Sequence, residues 1–288
     1  MKKMFCFCAG ILLWGTVSFA SGSECPRNFV EELLIAEGLD QSRAKRISQD
    51  SRIDVRPDIV MKNLFHSSPK GTADRPDVMR VDPRQIERGR AFIREHAEML
   101  ARVEERFGAS PQIITAILII ESRLGTYPMP YNVATAYVNL AFLLDPEYFR
   151  QIQTLYSDAY PKLFEAATIA RAHRRARWAV SELYYLSVIA DHLDMDPVNI
   201  SGSFAGALGP AQFIPSSFWI YGIDGDGDGI ADPFNMADAK LSMGQYLRKF
   251  GWREDAPVEQ KRKAVWYYNR SSVYVNTIMM LYEELKKP

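Results

Sequence analysis

The chain has 288 residues, 47% of them hydrophobic and 24% charged, enough for one large domain or two small ones and too apolar for a disordered chain. Its 35 basic and 35 acidic residues cancel, which excludes the global positive field that gathers nucleic acid or anionic lipid. Long alternating runs of β-branched residues are missing, which excludes a large sheet and leaves a mostly α fold.

The first element is MKKMFCFCAGILLWGTVSFA, residues 1–20. Lys2 and Lys3 precede an apolar stretch from Met4 to Trp14, and the small residues Ser18 and Ala20 end it. That is the three-part pattern of a cleaved secretory signal, and the apolar part is shorter than the ~20 residues of a membrane span. Its removal leaves 33 basic against 35 acidic residues, a net charge of −2. Cys6 and Cys8 depart with it, so Cys25 alone remains and no internal disulfide can form. Glu24 stands before Cys25 where a lipoprotein signal places a small residue, which argues for a free thiol and against lipid anchoring.

Short helices are predicted over 27–37 and 42–50, then surface loops over 51–80, where Pro57, Pro69, Gly71 and Pro76 interrupt the pattern. Asp82 and Pro83 open a longer helix whose stripe of Ile86, Ile93, Leu100, Val103 and Phe107 runs to Gly108. Ser110 and Pro111 open the next, PQIITAILIIESRLG. Further helices are predicted over 160–175, 178–194, 236–250, 257–268 and 272–286. The basic run RAHRRAR at the end of the first of these reads as a solvated face.

Four stretches carry candidate chemistry. Glu121 follows the most apolar helical run of the mature chain, with Ile114, Ile117 and Leu118 on its own face. Lost hydration and the negative helix end both raise its pKa, as a general acid requires. Pairing with Arg123 where the helix surfaces is the plainer alternative. The stretch GSFAGALGPAQFIPSSFWIYG, 202–222, sets Ser203 and Gln212 among glycines and apolar residues. They suit hydrogen bonds to a neutral polar ligand, or to the loop's own backbone. In DGDGDGIADPFN, 224–235, Asp224, Asp226 and Asp228 fill positions 1, 3 and 5 of a calcium loop. Gly229 is its turn glycine, Ile230 offers a carbonyl and Asp232 fills position 9, while Asn235 replaces the bidentate glutamate of position 12. An acidic turn without an ion is the alternative. In AVWYYNRSSVY, 264–274, the aromatic faces of Trp266, Tyr267, Tyr268 and Tyr274 beside Asn269 suit sugar rings, or an interhelical core.

Taken in this order, the ESRLG glutamate, the glycine-rich stretch, the acidic loop and the tyrosine–asparagine pair resemble the lytic murein transglycosylases of the membrane-bound B type. The resemblance runs from roughly Gln85 to Tyr282 and is weak over 21–80. It implies a lysozyme-like domain over 81–288, with extra helices and an EF-hand-like metal loop, and an N-terminal extension, 21–80, packed on it. It places the catalytic acid on Glu121 and substrate contacts on Ser203, Gln212, Tyr268, Asn269 and Tyr274. A cleft tyrosine falls on Tyr148, at a shorter spacing from the acid. The implied activity is cleavage of the MurNAc–GlcNAc bond of periplasmic peptidoglycan with 1,6-anhydro ends, by one glutamate acting as acid and then base. Catalysis would need no cofactor, and a Ca2+ ion in the loop would be structural. The partners would be glycan strands and cell-wall enzyme complexes, joined by a monomer. A goose-type lysozyme-like hydrolase and a non-catalytic glycan-binding protein of the same fold stay open as alternatives.

Overall fold

The computed structural model describes residues 26–65 and 77–287. The predicted signal with Cys6 and Cys8, the Cys25 thiol, and Pro69, Gly71 and Pro76 lie outside the described residues.

The described chain is helical apart from one small ladder. Helices α1 (Arg27–Glu37), α2 (Gln41–Ser48) and α3 (Pro57–Phe65) come first, then α4 (Pro83–Glu95), α5 (Ala97–Phe107) and α6 (Pro111–Ser122). Strand β1 (Tyr131–Asn132) leads into α7 (Val133–Ala141), α8 (Pro146–Leu155) and the long α9 (Ala166–His192). Strand β2 (Ser201–Gly202) pairs antiparallel with β1, placing Tyr131 opposite Gly202. Helices α10 (Pro215–Tyr221), α11 (Met236–Lys249), α12 (Val258–Tyr268) and α13 (Ser272–Glu284) complete the chain.

Two helical groups share one apolar core. Helices α1, α7 and α10 pack on α9, and α3 packs on α7. Helices α4, α5 and α13 pack around α6, with α11 on α5 and α12 on α13. Enclosure by several neighbours explains why α6 is apolar all round: Ile113 through Ile119 are buried without exception. The two groups meet through α10 and α11 and through the glycine-rich loop that joins β2 to α10.

Several predicted elements are corrected. Residues 57–65 form α3 rather than loop, because Pro57 occupies the first helical turn, where no N–H is needed. The helix over 82–108 is two helices: the backbone turns at His96 (φ −108°, ψ 25°), so α4 lies along α6 while α5 also reaches α11. The helices over 160–175 and 178–194 are one, α9, preceded by a 3-10 turn over Pro161–Phe164. No glycine or proline falls between Ala166 and His192, and Ala172, Ala176, Ala179 and Leu183 carry the buried stripe across the supposed break. The basic run is only partly solvated. Arg174 and Arg177 are exposed, whereas Arg175 lies 3.9 Å over the Trp178 ring and donates to Asn63 Oδ1 at 3.1 Å.

Candidate active site

Glu121 sits in the last turn of α6. The chain leaves that helix through three residues with positive φ, Arg123, Leu124 and Gly125. The Leu124 N–H returns to the Leu118 carbonyl at 2.9 Å, and Ser122 Oγ accepts from the Gly125 N–H at 2.9 Å. These bonds close the helix end tightly. They also fix where the glutamate points.

Its carboxyl meets α13. The Tyr274 hydroxyl donates to Glu121 Oε1 at 2.6 Å, and Tyr274 itself is buried. Burial pushes the Glu121 pKa up from 4.5 to about 7, against the opposing pull of the Tyr274 hydrogen bond. No ionised group contributes to that shift. Glu121 as a residue nevertheless keeps part of its surface open. The plainer pairing with Arg123 does not form: that guanidinium lies 5.1 Å over the exposed Tyr127 ring, and no Glu121–Arg123 ion pair exists among the described residues. The phenols of Tyr268 and Tyr274 are driven well above their ordinary range, first by burial and then by the Glu121 charge. Glu121, Tyr268 and Tyr274 therefore form one cluster.

Tyr268, on the last residue of α12, carries the cluster to the glycine-rich loop by donating to the Ala211 carbonyl at 2.6 Å. The loop is pressed against the protein. A Cβ at Gly206 would lie 2.1 Å from the Tyr137 ring, and one at Gly209 would lie 1.8 Å from the Pro233 carbonyl oxygen. Both have positive φ, so glycine is required twice over, and for the loop's own packing. The Tyr137 hydroxyl donates to the Gly206 carbonyl at 3.0 Å. Ser203 Oγ accepts from the Ala207 N–H at 3.0 Å. Gln212, itself at φ +52°, donates to the Gly209 carbonyl at 2.9 Å and to Met129 Sδ at 3.2 Å. In this state both side chains serve the backbone, the alternative their sequence left open.

Asn269 caps the end of α12 in extended conformation and is exposed beside the cluster. Tyr148 is buried on α8, 5.3 Å from the Phe142 ring. Trp266 and Tyr267 are exposed, Tyr268 is half-buried and Tyr274 is buried, so the aromatic stretch divides between the surface and the core. A second buried carboxylate, Glu182 on α9, is occupied elsewhere: it accepts from the Ser216 N–H at 2.8 Å and from Ser216 Oγ at 2.7 Å, tying α9 to the first turn of α10.

The acidic loop follows α10. Oxygens of Asp224, Asp226 and Asp238 lie within 4.8 Å of one another. Asp238 was not visible as a candidate because it falls beyond the twelve-residue template, in the first turn of α11. The signal that could have found it is Asn235, a helix cap followed three residues later by an acid. Asn235 Oδ1 accepts from the Ala237 N–H at 2.7 Å, and its amide donates to Asp226 Oδ2 at 2.6 Å. Asp228 Oδ1 accepts from the Ile230 N–H and Asp232 Oδ1 from the Phe234 N–H, both at 2.8 Å. The Ile230 side chain is exposed. Asp238 accepts from the Gly225 N–H at 2.8 Å and the Asp232 N–H at 2.7 Å, so it braces the loop from below. An all-oxygen donor set suits a hard cation such as calcium or magnesium.

A helical fold wrapped around one partly open, proton-holding glutamate is the lysozyme-like transglycosylase fold. The chain belongs to the family described as the transglycosylase SLT domain, which matches residues 21–264. It is 25% identical over 236 residues to membrane-bound lytic murein transglycosylase B of Escherichia coli, covering 78% of this chain and 57% of that protein's length. The chain thus spans little more than half of that relative. Among solved structures, SltB3 of Pseudomonas aeruginosa in complex with NAG-anhNAM-pentapeptide matches at TM-score 0.69 and 21% identity, over 90% of this chain and 78% of that one. Escherichia coli Slt35 in complex with calcium matches at TM-score 0.67 and 20% identity, over 90% and 91%.

Proposed function

We propose that the protein is a periplasmic lytic transglycosylase that cleaves the MurNAc–GlcNAc bond of peptidoglycan and leaves 1,6-anhydro-MurNAc ends. The observation that carries this reading is a single carboxyl, held near neutral pKa by burial, bonded to Tyr274 and free of any neighbouring charge. Glycosidases that hydrolyse through a nucleophile or an activated water use two carboxyl groups. A lone one suits a reaction whose nucleophile is part of the substrate.

Glu121, protonated, donates to the glycosidic oxygen leaving C1 of MurNAc, and the C1–O bond breaks. The sugar's acetamido group shields the cationic carbon. Glu121, now a carboxylate, accepts the proton of the C6 hydroxyl as its oxygen bonds to C1, so no water is consumed. The Tyr274 hydrogen bond stabilises the carboxylate between the two transfers. Ser203, Gln212 and Asn269 hold sugar polar groups, the first two after exchanging their loop contacts for substrate. Tyr268 fixes the loop, and Tyr148 contributes from the α8 side.

Residues 81–288 form the catalytic unit of a monomer able to join cell-wall enzyme complexes, with 21–80 as an extension packed on it. The packing of α1 on α9 supports that assignment. Secretion through residues 1–20 would place the enzyme beside its substrate. Asp224, Asp226 and Asp238 would hold a Ca2+ ion that neutralises their repulsion and braces the segment against Gly209, a structural role. The calcium found with Slt35 and the NAG-anhNAM-pentapeptide found with SltB3 support these readings. The test is digestion of purified sacculi. Wild-type protein should release muropeptides and Glu121→Gln none, while both cosediment with sacculi. Release undiminished in the variant would refute the assignment.

A further inference from the structure

At the corner between α11 and α12 lies an open pocket of about 640 Å3, outside the Glu121 cluster. The wall is aromatic: Tyr267 stacks on Phe250 with ring centroids 4.6 Å apart and planes inclined by 25°, and Tyr267 keeps 38% of its surface exposed. The rim is polar and carries Lys249, Lys263, Glu259 and Gln260. Neither lysine makes an ion pair among the described residues.

The pocket is held in shape. Gly251 turns the chain at φ +96° after α11, and Gln260 donates to its carbonyl at 2.7 Å. Trp252, fully buried, anchors the same turn by donating to Glu254 Oε1 at 3.2 Å. Phe250 is backed by Tyr246 at 4.5 Å and Tyr221 at 5.9 Å. The Tyr246 hydroxyl donates to the Tyr267 carbonyl at 2.7 Å.

The pocket is also joined to the cleavage site by a file of rings. Tyr268, which senses the Glu121 charge, lies 5.2 Å from Tyr246, which lies 4.5 Å from Phe250, which carries Tyr267. The exposed Asn269 stands two residues from Tyr267. Packed rings thus connect the acid to a second, exposed aromatic platform.

We propose that this pocket binds a sugar ring of the glycan strand outside the bond being cleaved, with Tyr267 under the ring and Lys249 and Lys263 reading a carboxylate of its peptide stem. An open aromatic face suits the C–H face of a pyranose, and two unpaired ammonium groups suit an anionic peptide rather than a neutral polysaccharide. The site gives the enzyme a hold on long strands that short fragments cannot use. This rests on peptidoglycan being the substrate.

The test measures binding on the Glu121→Gln background, so that cleavage does not enter. Cosedimentation with intact sacculi should weaken about fivefold for Tyr267→Ala, and for Lys263→Gln by a smaller factor of about two to three. With sacculi stripped of peptide stems, Tyr267→Ala should keep its defect and Lys263→Gln should lose it. Tyr267→Phe, which preserves the stack on Phe250, should bind as the parent does and so separates the platform from the fold. With Glu121 restored, Tyr267→Ala should raise KM on long strands with kcat unchanged and leave turnover of a tetrasaccharide alone. Unchanged binding of Tyr267→Ala to both kinds of sacculi would overturn the proposal. Weakened binding together with a wild-type protein that cleaves nothing would overturn the transglycosylase reading and leave the pocket standing.

Discussion

Glu121 and Asp224 are both acidic, and their surroundings treat charge in opposite ways. Glu121 is enclosed by apolar α6 and by α13, receives one phenolic hydrogen bond, and has its pKa lifted to about 7. Asp224 is half-buried and accepts the Gly227 and Gly229 N–H groups at 2.6 and 2.8 Å, which hold its carboxyl below the usual range. The first carboxyl is built to keep a proton and the second to shed it. Desolvation prevails at Glu121 and also at buried Asp238, whose pKa is raised although two backbone N–H groups donate to it, whereas hydrogen bonding prevails at Asp224 in the turn.

The comparison can be broken most severely at Glu121. Glu121→Gln should lower turnover by about 10^3-fold or more, since it removes both proton transfers. The same variant should behave distinctively in denaturation. The folded pKa lies above the ordinary 4.5, so the native state holds the proton more tightly than the unfolded chain does. Native stability is then intact below about pH 4.5 and falls as pH rises to about 7. The loss approaches roughly 3 kcal/mol, and glutamine escapes it. Urea unfolding should find the variant more stable than wild type at pH 8 and equal to it at pH 4.

At the loop, Asp238→Ala should cost about 2–4 kcal/mol even without metal, because two backbone N–H groups lose their acceptor. Asp226→Asn, at an exposed position, should cost little by itself and abolish the response to calcium. Calcium at a hundredfold excess over Kd should stabilise wild type by about 2.7 kcal/mol. Thermal melts with and without chelator read all three.

Tyr274→Phe sharpens the contrast more finely. The hydrogen bond favours the carboxylate, so its removal should raise the Glu121 pKa further. If protonated Glu121 is the active form, kcat/KM falls as pH rises through about 7 in wild type. In the variant that limb should move up by about one pH unit. Arg123→Ala should leave the limb where it is, because Arg123 faces Tyr127 and not the acid.

What the sequence disclosed followed from locality. Glu121 stood out because the residues that desolvate it precede it on one helix. The Asp224–Asp228 spacing is likewise local, and so is the helix start at Asp82. Tyr274 lies 153 residues from its partner, and no periodicity signals that pairing; the family resemblance offered Tyr274 only as a substrate contact. Asp238 escaped because a structural acid reached the loop from the following helix, outside the template's length. The bend at His96 and the continuity of α9 escaped for a related reason: tertiary neighbours decided both, with no breaker residue to mark the one or interrupt the other. That Gly206 and Gly209 make room for Tyr137 and Pro233 is equally non-local.

The central claim is that one glutamate performs both proton transfers and that the substrate's own hydroxyl is the nucleophile. Mass spectrometry of the muropeptides released from sacculi tests it most directly. The account predicts 1,6-anhydro-MurNAc ends, each lighter by one water than a hydrolytic end. Release of hydrated reducing ends alone would contradict it.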